Sequence, residues 1–97
     1  MFPITRLFDS EHSAREAIDK LVEGEEPHER SLVIRGADAN APAQVEAAIA
    51  SGMIMEGHKK SVLSALARGR VVVSSRPSDL NTGRFVETTL DATAVDR

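Results

Sequence analysis

Apolar positions along the chain fall into two rhythms, short continuous runs and longer stripes spaced three and four apart, and their order predicts the elements. Ile4 to Phe8 reads as a short strand, and Asp9-Ser10 supplies N-cap chemistry for the helix that follows, with Ser13 to Glu16 as a competing capping box. Ala14, Ala17, Ile18, Leu21 and Val22 match one face of a helix without a miss, and Gly24 stands where left-handed backbone would end it. After the acidic turn Glu25 to Glu29, Ser31 to Arg35 forms a second strand centred on Leu32-Val33-Ile34. Pro42 suits a first helical turn, and Val45, Ala48 and Ile49 make a short stripe that Gly52 interrupts. Met53-Ile54-Met55 fits either a continuation of that helix or a buried connector. His58 to Arg68 resumes as helix through Val62, Leu63 and Leu66 and stops at Gly69. Val71 to Ser75 is the third strand, and Asn81 or Thr82 caps a last helix whose inner face is Phe85, Val86, Thr89 and Leu90. Ala94-Val95 can add a fourth, edge strand.

This order of elements predicts one domain over residues 1–97, of α+β or α/β class. The expected architecture is a two-layer sandwich, ferredoxin-like or related, with a sheet of three or four strands. The first helix, the last helix and His58–Arg68 then share one face of it. A small parallel sheet is the alternative, because helices separate all the strands and right-handed crossovers would join them. A faint internal echo links Ala14-Arg15 in the first helix with Gly83-Arg84 in the last.

Composition sharpens this picture in two ways. The 97 residues are 41% hydrophobic but include three Phe and no Trp or Tyr, so Val, Leu, Ile, Ala and Met must fill the core. A core this thin makes a homodimer the expected state, since a second copy supplies burial that one lacks. The absence of cysteine excludes disulfides, thiolate nucleophiles and Cys-ligated metal sites, and it suits a reducing compartment. No charged leader with an apolar run opens the sequence, and no stretch approaches the ~18 apolar residues of a membrane span, so a cytoplasmic protein without a membrane partner is expected. The net charge of −3 hides an asymmetry: residues 1–56 carry 5 Lys/Arg against 11 Asp/Glu, and residues 57–97 carry 7 against 4. The two halves should attract each other, within one chain or between copies.

The best candidate site is the turn after the third strand. A helix start offers unpaired N–H groups and partial positive charge; Ser75, Ser78 and Thr82 add hydroxyls, Gly83 permits close approach, and Arg76 or Arg84 can clamp a phosphate or carboxylate. Against a small-anion site stands the simpler reading that Asn81 or Thr82 only caps its helix, for no phosphate-loop or dinucleotide glycine pattern is present. Lys59, Lys60, Arg68, Arg70, Arg76 and Arg84 against Asp79 make residues 57–86 basic, yet the single aromatic there, Phe85, belongs to the helix's inner face. Nucleic-acid binding therefore lacks a stacking platform and is disfavoured. His12, His28 and His58 show no helical zinc spacing, no serine sits in a nucleophile elbow, and no cofactor is expected. Met53-Ile54-Met55 is read as core or dimer-core filling rather than an adaptable partner groove.

Two parts of the chain together resemble a known family. Phe8-Asp9-Ser10 followed by Ala14, Ala17-Ile18 and Leu21, and His58-Lys59-Lys60-Ser61-Val62 leading to Arg68-Gly69-Arg70-Val71-Val72-Val73-Ser74 with Gly83-Arg84 and Leu90-Asp91, resemble the two halves of the heat-induced general stress protein domain of bacteria. The resemblance implies a stress-associated, non-enzymatic domain and supplies no catalytic residues. The expected function is accordingly a non-enzymatic, self-associating bacterial accessory domain. One alternative is a regulatory domain binding a small anion at Ser75–Arg84; another is an enzyme whose site forms across a dimer interface from His58 and these arginines.

Overall fold

Strand β3 (Val71–Ser75) is buried along its whole length, a pattern that an apolar run adopts when both of its faces are covered. In the computed structural model, which describes residues 3–24, 31–77, 80–92 and 94, it is the centre of a three-stranded sheet ordered β1-β3-β2. The flanking strands are β1 (Ile4–Phe8) and β2 (Ser31–Arg35), and each pairs antiparallel with β3. Among the described residues four α-helices complete an α+β fold: α1 (Glu11–Glu23), α2 (Ala41–Ala50), α3 (Lys59–Ala67) and α4 (Leu80–Asp91). β1, α1 and β2 form a split β-α-β unit, with β3 inserted between its strands. The parallel sheet considered from sequence is thereby excluded: β1 and β2 point the same way but never touch.

The register sorts the strand residues onto two faces, because side chains alternate along a strand. Phe8, Val71 and Val73 join Ala14, Ala17, Leu21, Val86 and Leu90 in one core, whereas Val72 and Ile34 join Ala41, Val45, Ala48, Ile54, Val62 and Leu66 in a second. Helices α1 and α4 thus cover one face and α2 and α3 the other. This corrects the expectation of helices on one face, under which Val71-Val72-Val73 would have shown half of its side chains to water. On the first face α1 lies over β3 and α4 over β1; on the second α3 lies over β3 and α2 over β2. The first face of β2 and the second face of β1 are left without a helix directly above them.

The serines that end β3 carry polar atoms into both cores and are matched there. Ser74 donates its hydroxyl hydrogen to the Met53 carbonyl and lies 2.9 Å from the Thr5 hydroxyl, and Ser31 donates to Ser75 at 3.4 Å. A buried hydroxyl without such a partner would cost about 1–3 kcal/mol.

Several local expectations are met. The Ser10 hydroxyl accepts the Ser13 N–H at 3.2 Å and caps α1, Pro42 sits in the first turn of α2, and Gly52 (φ +81°) and Gly69 (φ +80°) adopt the left-handed backbone that stops α2 and α3. Met53-Ile54-Met55 is a connector, with Ile54 buried and Met55 39% exposed. Other expectations are corrected. Gly24 has φ −84°, so its value lies elsewhere: a Cβ there would sit 2.2 Å from the tip of the Phe85 ring. Phe85 does not face the core and is 39% exposed, because Gly83, Val86 and Leu90 take the inner face of α4. Val22, at the end of the α1 stripe, is 41% exposed. Helix α4 begins at Leu80, so Asn81 and Thr82 lie inside its first turn instead of capping it. The echo between helices does hold locally: Ala14 and Gly83 are buried, and Arg15 and Arg84 beside them are exposed. Val95, half of the expected fourth strand, lies outside the described residues.

Candidate functional site

The residues of the anion candidate are distributed over the fold. Ser75 has no exposed surface and is engaged by Ser31 on the first face of the sheet. Arg76, one residue further, points to the opposite face, where its Nη1 lies 3.0 Å from the position a Cβ on Gly52 would take. Arg84 is exposed on α4, back on the first face; Gly83 is buried, Thr82 half-buried, and Ser78 lies outside the described residues. No hydrogen bond joins Ser75, Arg76 and Arg84 to one another.

The basic residues are likewise dispersed. Lys59 donates to Glu46 at 2.9 Å, Arg70 lies 3.5 Å from Asp9, and Arg68 donates to the Ser64 hydroxyl at 3.3 Å, while Arg76 and Arg84 sit on opposite faces of the sheet. The Glu46 and Asp9 contacts join the acidic and basic halves in the expected sense; Arg6 pairs in the reverse sense with Glu87 and Asp91. His12 and His58 are exposed, and His28 lies outside the described residues. Among the described residues, no three His, Asp or Glu side chains gather in a way that could hold a metal. No helix in the described residues is long and apolar enough to cross a membrane.

Two grooves flank β2. On its first face a groove runs between β2 and α1, with half-buried Ile18 and Val33 on its floor and Glu11, Arg15, Asp19 and Arg35 along its rim. The Arg35 guanidinium donates to Glu11 at 2.7 Å, and this bond, with the charge behind it and a smaller contribution from Arg15, holds the Glu11 carboxyl below its usual range. On the other face a second groove follows α2, lined by Leu32, Ala47 and Met53. The loop between β2 and α2 is fastened: Asp38 accepts the Asn40 N–H at 2.9 Å and the Gln44 amide at 3.0 Å, which lowers its pKa.

A groove beside β1 is lined by Leu7, Ser61, Ser64, Ala65, Arg68 and Arg70. The apolar groove between β2 and α2 was not visible in sequence. It arises because α2 covers β2 on that face. The chain matches no protein-family model, no curated protein and no solved structure.

Proposed function

We propose that this chain is a non-enzymatic, self-associating accessory domain of a bacterial cell, stress-related as the resemblance to the heat-induced general stress protein domain implies. The supporting observation is the incompletely covered apolar surface on both sides of β2, formed by Ile18 and Val33 on one face and Leu32, Ala47 and Met53 on the other. Apolar side chains grouped around one strand lose water when a second surface covers them, at roughly 25 cal/mol per Å². In a chain with only three aromatic residues, this is burial that a single copy leaves unused. Light-scattering mass across a concentration series tests the reading. It predicts a rise from 10.5 kDa toward twice that value; an unchanged monomer mass into the millimolar range contradicts it.

A further inference from the structure

We propose that two copies of this chain pair β2 against β2, antiparallel about Val33, so that their sheets join into one; this rests on the self-association reading above. The direction of the backbone groups carries the argument. The Gly36 N–H donates to the Arg70 carbonyl at 2.8 Å and continues the β2–β3 register, in which Ile34 faces Val72 and Leu32 faces Ser74. Hydrogen-bonded and non-hydrogen-bonded pairs alternate along an antiparallel ladder. Leu32 and Ile34 therefore aim their backbone groups at β3, while Ser31, Val33 and Arg35 aim theirs outward.

The same alternation carried across β3 turns Thr5 and Leu7 outward on β1, where a side chain lies across part of the edge. The Thr5 carbonyl accepts from Arg6 Nη1 at 3.0 Å, and Arg6 is itself held by Asp91 at 2.5 Å and Glu87 at 3.1 Å. On β2 the Arg35 carbonyl accepts the Asp38 N–H at 3.1 Å in the following turn. Among the described residues, the Val33 N–H and C=O and the Arg35 N–H have no partner. An edge strand with free backbone groups and apolar side chains on both faces is a template for another strand.

Symmetry and charge select a second copy as the occupant. A two-fold axis at Val33 pairs it with the partner's Val33 and sets Arg35 against the partner's Ser31, so the outward groups meet one another in register. Ser31 lies about 14 Å along the strand from Arg35, and Asp19 about 12 Å along α1 from Glu11, at ~3.4 and ~1.5 Å per residue. Because Arg35 binds Glu11, Asp19 stands at the level of Ser31, on the rim of the same groove. The axis therefore brings Arg35 to the level of the partner's Asp19, opposite in charge. On the other face, the side of α2 nearest this edge carries Ala47, Ser51 and a Gln44 tied back to Asp38, which leaves room for the partner's α2.

Amide exchange by NMR on the wild-type chain, in dilute and concentrated samples, tests the pairing, with the mass measured in parallel. The expected result is that exchange at Val33 and Arg35 slows at least tenfold as the mass doubles, while Leu7 keeps its rate. Val33→Pro removes an N–H that β3 does not use, and Ser61→Lys crowds the β1 groove; the first should remain monomeric and the second should still dimerise. A dimer in which the Val33 and Arg35 amides exchange at the dilute rate, or one that Ser61→Lys dissolves and Val33→Pro does not, overturns the pairing and leaves self-association standing. A monomer at every concentration overturns both.

Discussion

Gly36 and Gly57 carry opposite predictions, although both have ordinary backbone angles. A Cβ on Gly36 would come within 2.5 Å of the Leu66 carbonyl oxygen and 2.7 Å of the Arg70 oxygen, backbone atoms that cannot swing aside. Gly36→Ala should therefore cost about 1–3 kcal/mol in urea unfolding, the range for forced overpacking. At Gly57 a Cβ meets nothing within 4 Å, so Gly57→Ala should stabilise by about 0.4–1 kcal/mol through the less flexible unfolded chain. Gly24 falls between them, since the atom in its way is the tip of a partly exposed Phe85 ring. Gly24→Ala should cost less than Gly36→Ala and should displace the Phe85 ring resonances; an equal loss with an unmoved ring would refute that contact.

Among the elements, α1 and α4 depend on identifiable groups. Ser10→Ala removes the N-cap bond of α1 and should cost about 1 kcal/mol, and Leu90→Ala, fully buried under α4, about 2–5 kcal/mol in thermal or urea unfolding. All three strands, both halves of the α2–α3 region and the cap of α1 were legible in the sequence, because each is marked by a local signal: an apolar run, a proline, a terminating glycine. What escaped was set by packing between elements. The second covered face of Val71-Val72-Val73 was not assigned from the run itself; it follows from the register, which places Val72 opposite Ile34 and Val73 opposite Val33. Phe85 was assigned inward by its spacing from Val86 and Leu90, but Gly83 lies on that inner face and the ring settles on Gly24. Two residues of the anion candidate are separated for a related reason: consecutive residues Ser75 and Arg76 leave β3 on opposite faces.

For the whole molecule, the charged pairs set a pH window. The Glu11 carboxyl is lowered first by its Arg35 hydrogen bond, and that of Asp38 by the Asn40 N–H, so their stabilisation is present above the usual carboxylate range and fades as pH falls through the lowered values. The Lys59 amine is raised by its Glu46 hydrogen bond, so its contribution holds below the usual amine range and fades as pH rises through the raised value. The melting temperature should fall at both extremes, with shallower slopes in about 1 M salt, because these groups are exposed and screened. Replacing Arg35 by Gln should return the Glu11 titration toward the usual range, seen in its carboxyl NMR shift.

At the same scale, the arrangement of two helices on each face leaves one sheet edge crossed by Arg6 at Thr5 and the other flanked by grooves on both sides of Val33. The most direct test mixes isotope-labelled and unlabelled copies and records only cross-peaks between them. Pairing about Val33 sets Leu32 of one copy directly opposite Ile34 of the other, in a close pair with Cα atoms ~4.5 Å apart, so an Hα–Hα cross-peak between these two residues is predicted. A sample of dimer mass that lacks this cross-peak, or shows contacts to Leu7 in its place, would contradict the account.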